Sequence, residues 1–302
     1  MFKHLTFFLL LFILSSCSFN KMFLVPYKMT NETKQVEMRT KQGDTIITYF
    51  TGEEHQPLIT KNRIPLETDY TIESVLFTSK NGNKLNGWLI KPKNGNADVT
   101  LLHFHGNAAN MLYQVQAIAP LAKKGFQIFM FDYSGFGFSE GKATRENVRI
   151  DANSALDYIK SREEVKNTKL VIYGQSLGGH LSAVVANDRQ ADIDALVIEG
   201  AFSSHHDVGA YMVRRMMLIG GIARVFMKDG YSAKKSIKSY KKPLLVVHST
   251  EDEVIPEYMG KRIFKKATTP TKEFYEINKC HICGPIYYTD EIADKIRKML
   301  AK

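Results

Sequence analysis

The sequence predicts an α/β fold built on a doubly wound, mostly parallel sheet. Apolar β-type runs alternate with helical segments from residue 99 onward, and this alternation is typical of strand–helix–strand units. The chain has 302 residues, of which 44% are hydrophobic, enough for one domain with a large core. In such sheets ligands bind beyond the carboxyl ends of the strands.

Residues 1–16 are predicted to be a lipoprotein signal peptide. A basic Lys3-His4 pair precedes an apolar run at residues 5–14, which is too short to span about 30 Å of hydrocarbon. Leu14-Ser15-Ser16-Cys17 then matches the lipobox of bacterial lipoproteins, so we expect a lipidated Cys17 that anchors the protein to a membrane. This places it in the bacterial cell envelope, facing outside the cytoplasm. An ordinary secretory signal or an uncleaved anchor are the alternatives.

The formal net charge of +10 is compatible with a surface of anionic lipid. Nucleic acid is not an expected partner, because the sequence contains no recognition motif or basic arm. The densest lysine cluster, at residues 228–242, is interpreted as a solvated face.

Residues 17–70 form a lead-in with a β-rich run at 45–50, and part of it could be a spacer from the lipid. Apolar runs at 72–78 and 85–90 flank Asn81-Gly82, a pattern that predicts a β-hairpin at a sheet edge. The main domain is predicted to span 71–302, and within it strands alternate with helices. The predicted elements are strand 99–104, helix 111–124, strand 127–131, helix 144–160, strand 170–173, helix 181–186, strands 195–199, 243–248 and 272–277, and helix 286–300.

Residues 174–178 read G-Q-S-L-G between a strand and a helix. A serine on such a sharp turn has its Oγ raised clear of the backbone, so Ser176 is the candidate nucleophile, and the N–H of Leu177 is a candidate oxyanion donor. The alternative is a strand-to-helix connection that happens to contain a serine.

The loop at 105–110, H-G-N-A-A-N, follows strand 99–104. Its N–H at Asn107 is the candidate second oxyanion donor. The alternative is a loop that only caps a helix.

Four segments together resemble the α/β-hydrolase superfamily: H-F-H-G-N-A-A-N, F-D-Y-S-G-F-G-F-S-E-G, G-Q-S-L-G-G and H-S-T-E-D-E-V-I-P. The resemblance is strongest to small membrane-associated serine hydrolases, among them protein depalmitoylases and relatives of serine aminopeptidases. It implies that Asp252 is the acid of a Ser-Asp-His triad. Glu251, Glu253 and Glu199 are rival acids, with solvation or a buried structural role as their alternatives.

The chain order Ser…Asp…His requires a histidine after the last strand, and His281 is the only one beyond Asp252. We therefore expect His281 to act as general base and later as general acid. Ile282 stands where relatives usually have a small or polar residue, so the geometry of this loop is open.

Cys280 and Cys283 flank His281. If Cys17 is lipidated, these two are the cysteines that remain, and an even number of cysteines in an exported protein suits a disulfide. Two free thiols are the alternative. No zinc ligand set is found, and no phosphate-loop or dinucleotide motif occurs, so neither metal nor cofactor is expected.

An insertion at about 202–242 is predicted to form a small helical cap. It is rich in methionine and other apolar residues, which either line an acyl pocket or bury a core of their own.

The sequence thus predicts a membrane-tethered serine hydrolase that cleaves a small-molecule or acylated ester or thioester through an acyl-Ser176 intermediate. A peptidase or amidase of the same fold is the second interpretation, and a catalytically silent binding module is the third. The oligomeric state is left open.

Overall fold

A computed structural model describes residues 23–95, 97–217 and 230–301, without the side chains of 213–217. In chain order the strands are β1 Val25–Pro26, β2 Gln35–Arg39, β3 Thr45–Thr51, β4 Gln56–Lys61, β5 Ile64–Pro65, β6 Tyr70–Thr78, β7 Lys84–Pro92, β8 Val99–Phe104, β9 Ala108–Ala109, β10 Phe126–Phe131, β11 Lys169–Gln175, β12 Ala195–Glu199, β13 Leu244–Ser249 and β14 Lys272–Ile277.

The α-helices are α1 Met111–Gln114, α2 Arg145–Ser161, α3 Leu177–Asp188, α4 His205–Met217, α5 Ala233–Ser236, α6 Tyr258–Lys266, α7 Gly284–Tyr287 and α8 Thr289–Leu300. Short 3₁₀ helices occur at Val115–Ala117, Ala119–Lys124, Glu163–Val165 and Gln190–Asp192.

The central sheet confirms the predicted fold class. Its eight strands lie in the order β14-β13-β12-β11-β8-β10-β7-β6. From β14 to β10 neighbouring strands are parallel, and β7 pairs antiparallel with both β10 and β6. The chain leaves β8 toward β10 and returns to β11 on the other side, so a crevice opens at the carboxyl ends of β8 and β11.

Strands β8, β10, β12 and β13 are buried over their whole length, and β11 is buried after its first residue, Lys169. Apolar side chains on the two faces of the sheet belong to two core clusters, one under α2 and α3 and one under α8. Continuous apolar runs are expected of parallel strands that are covered on both faces.

The β6–β7 hairpin forms where the Asn-Gly pair predicts it. Gly82 has a φ of 87°, a left-handed conformation that costs a glycine little, and its N–H donates to the carbonyl oxygen of Ser79 (2.8 Å). The turn therefore sets the register of the sheet edge.

The part of the lead-in that the structure describes begins at Phe23. Strands β2 to β5 form a separate antiparallel sheet, and buried side chains of the lead-in, Phe23 and Met29 among them, belong to the two clusters of the main domain. This part of the chain therefore shares its core with the main domain.

Two predicted helices are interrupted. The segment predicted as a helix over 111–124 is α1 followed by two 3₁₀ helices. Pro120 accounts for the interruption, because it lacks an N–H and, in a continuous α-helix, its ring would clash with the carbonyl oxygen four residues earlier. The segment predicted over 286–300 divides at Tyr288 into α7 and α8.

The predicted cap contains α4 and α5. Residues 218–229, which hold much of its methionine-rich run, lie outside the described residues, as do 1–22 with Cys17. Tyr211 and Met212 pack partly buried against the core. Throughout the described ranges, every helix is too short or too polar to cross a bilayer.

Candidate active site

Ser176 occupies a sharp turn between β11 and α3. Its φ of 55° and ψ of −115° lie outside the regions that ordinary residues adopt, which costs on the order of 1–3 kcal/mol. A Cβ added at Gly178 would lie 1.9 Å from the carbonyl oxygen of Phe104, and one at Gly174 would lie 2.3 Å from that of Gly178. The two glycines thus allow β11, β8 and α3 to approach closely enough to form the turn.

The turn is held from the neighbouring strand. The backbone N–H of Ser176 donates to the carbonyl oxygen of Glu199 at the end of β12 (2.9 Å), and the carbonyl oxygen of Ser176 accepts from the N–H of His180 (3.0 Å). Ser176 therefore lies at the start of a helix, where unpaired N–H groups stabilise a nearby negative charge.

The candidate oxyanion loop lies beside this turn. A Cβ added at Gly106 would be 3.6 Å from Ser176 Cβ. Among the hydrogen bonds of the described residues, none uses the N–H of Asn107 or that of Leu177. Both predicted donors are therefore available to a ligand next to Ser176.

A residue that the sequence analysis missed fixes this loop. The N–H of Gly106 donates to Gln114 Oε1 (2.8 Å), and Gln114 Nε2 donates to the carbonyl oxygen of Ala108. The side chain of Gln114 therefore bridges the loop from one side of Asn107 to the other. Gln114 lies nine residues after His105 and belongs to no sequence motif by which it could have been found.

Asp252 and His281 are brought together. Asp252 Oδ2 is 2.6 Å from His281 Nδ1, while Oδ1 accepts from the N–H groups of Val254 (2.9 Å) and Ile255 (2.8 Å). Burial acts to raise the pKa of Asp252, but bonds from His248, His281 and Ile255 outweigh it and hold that pKa well below its ordinary value. Asp252 is therefore ionised and accepts the Nδ1 proton of His281.

His248 is a second histidine against the same carboxylate. Its Nε2 lies 3.0 Å from the carbonyl oxygen of Ile255 and 3.4 Å from Asp252 Oδ2, and its ring is fully buried. A Cβ added at Gly260 would be 2.3 Å from His248 Nδ1. The sequence analysis did not place His248 in the site; its position at the end of β13, four residues before Asp252, is the signal that points to this contact.

His281 and Ser176 both lie close to the end of β12. A Cβ added at Gly200 would lie 3.0 Å from His281 Cε1, and Glu199, the preceding residue, accepts from the N–H of Ser176. The hydrogen bonds within the described residues include none from Ser176 Oγ to His281. In hydrolases without substrate, such a bond is often long and tightens only when substrate binds.

Glu199 is a buried acceptor and does not pair with His281 Nδ1. Its Oε1 accepts from the N–H of Gly284 (2.7 Å), and Oε2 from Gln175 Nε2 (2.7 Å) and the hydroxyl of Tyr173 (2.9 Å). Burial raises the pKa of Glu199, and these three bonds oppose the rise. Glu199 thus ties the strand that precedes Ser176 to the loop that carries His281.

The remaining rival acids and metal ligands are not in the site. Glu251 and Glu253 are exposed. Burial lowers the pKa of His103 to about 3, so its ring is neutral and bonds Gln175 at 2.9 Å. The described residues contain no group of three His, Cys, Asp or Glu side chains that could hold a metal ion.

The loop that carries His281 is closed by a disulfide between Cys280 and Cys283. Between them Ile282 has a φ of 49°, which is uncommon for any side chain and strained for a β-branched one. This conformation explains why a small residue would be the easier choice there.

An extended segment at 23–29, the N-terminal strap, runs along the oxyanion loop. The N–H groups of Val25 and Tyr27 donate to the carbonyl oxygens of Asn107 (2.9 Å) and Ala109 (2.8 Å), and β1 pairs in parallel with β9. The strap continues to Gly137, whose carbonyl oxygen accepts from the N–H of Met29 (2.8 Å). In the sequence analysis this segment was only part of the predicted lead-in, 17–70.

Comparison with known proteins gives concordant matches. A sequence profile of the alpha/beta hydrolase fold matches residues 99–236. The uncharacterized protein YfhR of Salmonella typhi is 36% identical over 235 residues, which are 73% of this chain and 78% of that protein. Protein bem46 of Schizosaccharomyces pombe is 28% identical over 224 residues, 72% of each chain.

Solved structures with the same fold include two esterases. The Pyrococcus furiosus esterase Pf2001 superimposes with a TM-score of 0.63 at 20% identity, over 77% of this chain and 91% of its own. Est1E from Butyrivibrio proteoclasticus, with ferulic acid bound, gives a TM-score of 0.61 at 20% identity, over 76% of this chain and 100% of its own.

Proposed function

The chain belongs to the alpha/beta hydrolase family, and on that basis we propose that it is a serine hydrolase that cleaves a carboxylic ester or thioester through an acyl-Ser176 intermediate. The observation that carries the proposal is the 2.6 Å contact between Asp252 Oδ2 and His281 Nδ1. Ser176 lies near this pair, because its N–H donates to Glu199 and the next residue, Gly200, lies against His281.

In the proposed reaction Ser176 Oγ attacks the carbonyl carbon of the substrate. Because His281 Nδ1 carries the proton that Asp252 accepts, Nε2 is the basic nitrogen and takes the proton of the serine hydroxyl. The imidazolium then returns this proton to the departing alcohol or thiol. A water molecule, deprotonated by Nε2, then attacks the acyl-serine; as the bond between the acyl carbon and Ser176 Oγ breaks, the imidazolium returns this proton to Oγ and the acid is released.

The charge that develops on the carbonyl oxygen falls near the N–H groups of Asn107 and Leu177. Each oxyanion donor contributes about 2.7–4 kcal/mol to lowering such a barrier. Since neither N–H has a partner within the described residues, no internal bond has to break when the oxyanion forms.

Two lines favour an ester or thioester over an amide. The esterases Pf2001 and Est1E share the fold, and the apolar, methionine-rich insertion of the sequence suits an acyl chain. Relatives of serine aminopeptidases keep peptide or amide hydrolysis as the second candidate. A binding module without activity is the third.

We also propose that Cys17 is the acylated N-terminus and holds the enzyme on the outer side of a bacterial membrane. Leu14-Ser15-Ser16-Cys17 after the apolar run supports this. Mass spectrometry of protein extracted from membranes tests it: we expect a diacylglycerol-modified Cys17, and an intact Met1 or a bare Cys17 would contradict it.

A fluorophosphonate probe tests the mechanism. We expect one adduct, at Ser176, that Ser176→Ala abolishes and the exposed control Ser239→Ala leaves unchanged. Ser176→Ala and His281→Ala should each remove nearly all activity, with the double variant little worse, because residues of one catalytic unit are not additive. Multiplying losses would refute a joint role.

Matched ester, thioester and amide substrates with one acyl chain then decide the class. Turnover of the amide at a rate comparable to the ester favours the peptidase candidate. An intact, folded chain that neither reacts with the probe nor turns over any substrate favours the binding module.

A further inference from the structure

Large apolar side chains are exposed around the opening of the candidate site. Six of them, which we call the apolar rim, lie on the N-terminal strap, on the helices α1, α6 and α7, and on the loop that carries Asp252. They are Tyr27, Tyr113, Val254, Tyr258, Ile286 and Tyr287. Their exposed fractions run from 40% for Tyr113 to 58% for Tyr287. Single exposed apolar residues need no explanation, but a group around one opening marks an interaction site.

Each part of the rim is attached to a part of the site. Tyr27 packs edge-on against Tyr113 with ring centroids 5.6 Å apart, beside the oxyanion loop that the strap holds. The N–H of Val254 donates to Asp252 Oδ1. Ile286 and Tyr287 lie on α7, the short helix that follows the loop with His281. This helix packs against the 3₁₀ helix Val115–Ala117, which begins two residues after Tyr113.

The chemistry of the rim is that of residues at a bilayer interface. Arg262 Cζ lies 5.4 Å from the ring centroid of Tyr258, and Lys279 Nζ lies 5.9 Å from that of Tyr287. Tyrosines place an apolar ring and a polar hydroxyl at the headgroup level, and long cationic side chains keep their charge in water. Glu251 and Glu253 precede Val254 in the chain and are exposed, so apolar contact contributes more than charge.

We propose that the apolar rim docks on the surface of a lipid bilayer, so that the opening of the site faces the membrane. The occupant is a bilayer because Cys17 precedes Phe23 by only six residues, and six extended residues reach about 20 Å. A lipid on Cys17 thus lies within reach of the strap, and the strap carries Tyr27. The inference rests on the proposed function and gives it a substrate class, acyl compounds that partition into the bilayer.

Depth measurement in vesicles tests this docking with the full-length chain extracted from membranes. A fluorophore on Tyr287→Cys, and in a second variant on Tyr113→Cys, is compared with one on Ile64→Cys. Ile64 is 70% exposed but lies on the lead-in sheet, in β5, which makes it the matched control. The parent chain without an added cysteine gives the background labelling.

Vesicles of phosphatidylethanolamine and phosphatidylglycerol carry doxyl-labelled lipid as the quencher. Because interfacial side chains bury about 5–10 Å into the headgroup region, we expect roughly twofold quenching at 287 and 113 and almost none at 64. Equal quenching at all three positions, or none at 287 and 113, would overturn the proposal. The proposal would also be overturned if the fluorophore at position 287 were protected from quenching by aqueous iodide in the absence of lipid, because a second copy of the chain would then cover the apolar rim.

The two proposals fail separately. Quenching needs no turnover, so a chain without a fluorophosphonate adduct can still dock through its rim. A chain that reacts at Ser176 while its rim labels stay unquenched retains the proposed function and loses only the docking.

Discussion

Replacement of Gln114 by alanine is the sharpest test of how the oxyanion loop is held. The substitution removes two hydrogen bonds, one from Gly106 N–H and one to the carbonyl oxygen of Ala108. Each such bond contributes about 0.5–1.5 kcal/mol to stability. The side chain is half-buried, so water can replace part of the loss, and the free energy of unfolding should fall by about 1 kcal/mol.

The effect on catalysis should be larger than the effect on stability. Loss of a whole oxyanion donor lowers kcat by about 10²–10³-fold, and a displacement of about 1 Å near the chemistry costs on the order of 10²-fold. Because the variant loosens Asn107 without deleting its N–H, we expect kcat to fall by about 10–100-fold. KM should change little, because the donor acts mainly in the transition state.

Steady-state kinetics with an ester substrate and urea unfolding measure both effects. Gln114→Glu keeps an acceptor for Gly106 but loses the donor to Ala108, so its kcat should lie between wild type and Gln114→Ala. The exposed Gln116→Ala, two residues away, is the matched control and should match wild type. A folded Gln114→Ala with unchanged kcat would refute the positioning role.

Three further predictions concern the acid, the buried carboxylate and the disulfide. Asp252→Asn should lower kcat by roughly 10⁴-fold, because the amide no longer selects the productive tautomer of the histidine; a loss below about tenfold would exclude it as the triad acid. For Glu199, burial raises the folded pKa, so the stability from this group is full below its ordinary pKa and is lost as pH rises through the folded pKa. Glu199→Gln should therefore flatten the fall in unfolding free energy as pH rises above the ordinary pKa of a carboxyl group, and an unchanged slope in urea titrations at a series of pH values would contradict this. Reductant, or Cys280→Ser with Cys283→Ser, should lower kcat much more than Tm, since so short a loop adds little chain-entropy stabilisation; a fall in Tm with unchanged kcat would be the contrary result.

Local patterns carried most of the fold prediction. The Asn-Gly pair at 81–82 located the β6–β7 hairpin, and the apolar runs located the parallel strands to within two residues. The family resemblance implied Asp252 and the chain order pointed to His281, and the structure brings these two residues into contact at 2.6 Å. Period and turn chemistry are local, so they can be read from a single sequence.

What the sequence analysis missed depends on contacts between distant parts of the chain. Val25 meets Asn107 only after the sheet has assembled, whereas His248 lies four residues before Asp252, a spacing that is visible in the sequence. The broken helix at 111–124 is a different case, because Pro120 was a visible signal against a continuous helix.

The N-terminal strap has a consequence for what counts as the smallest complete enzyme. Carbonyl oxygens of Asn107, Ala109 and Gly137 accept hydrogen bonds from a segment that lies ahead of the whole central sheet in the chain. A gene fragment that began at β6 would still encode all eight sheet strands, the serine turn and the histidine loop. It would leave those three acceptors and the buried surface under Phe23 without their native partners. A shortened version of this chain therefore keeps these contacts only when it begins at or before residue 23.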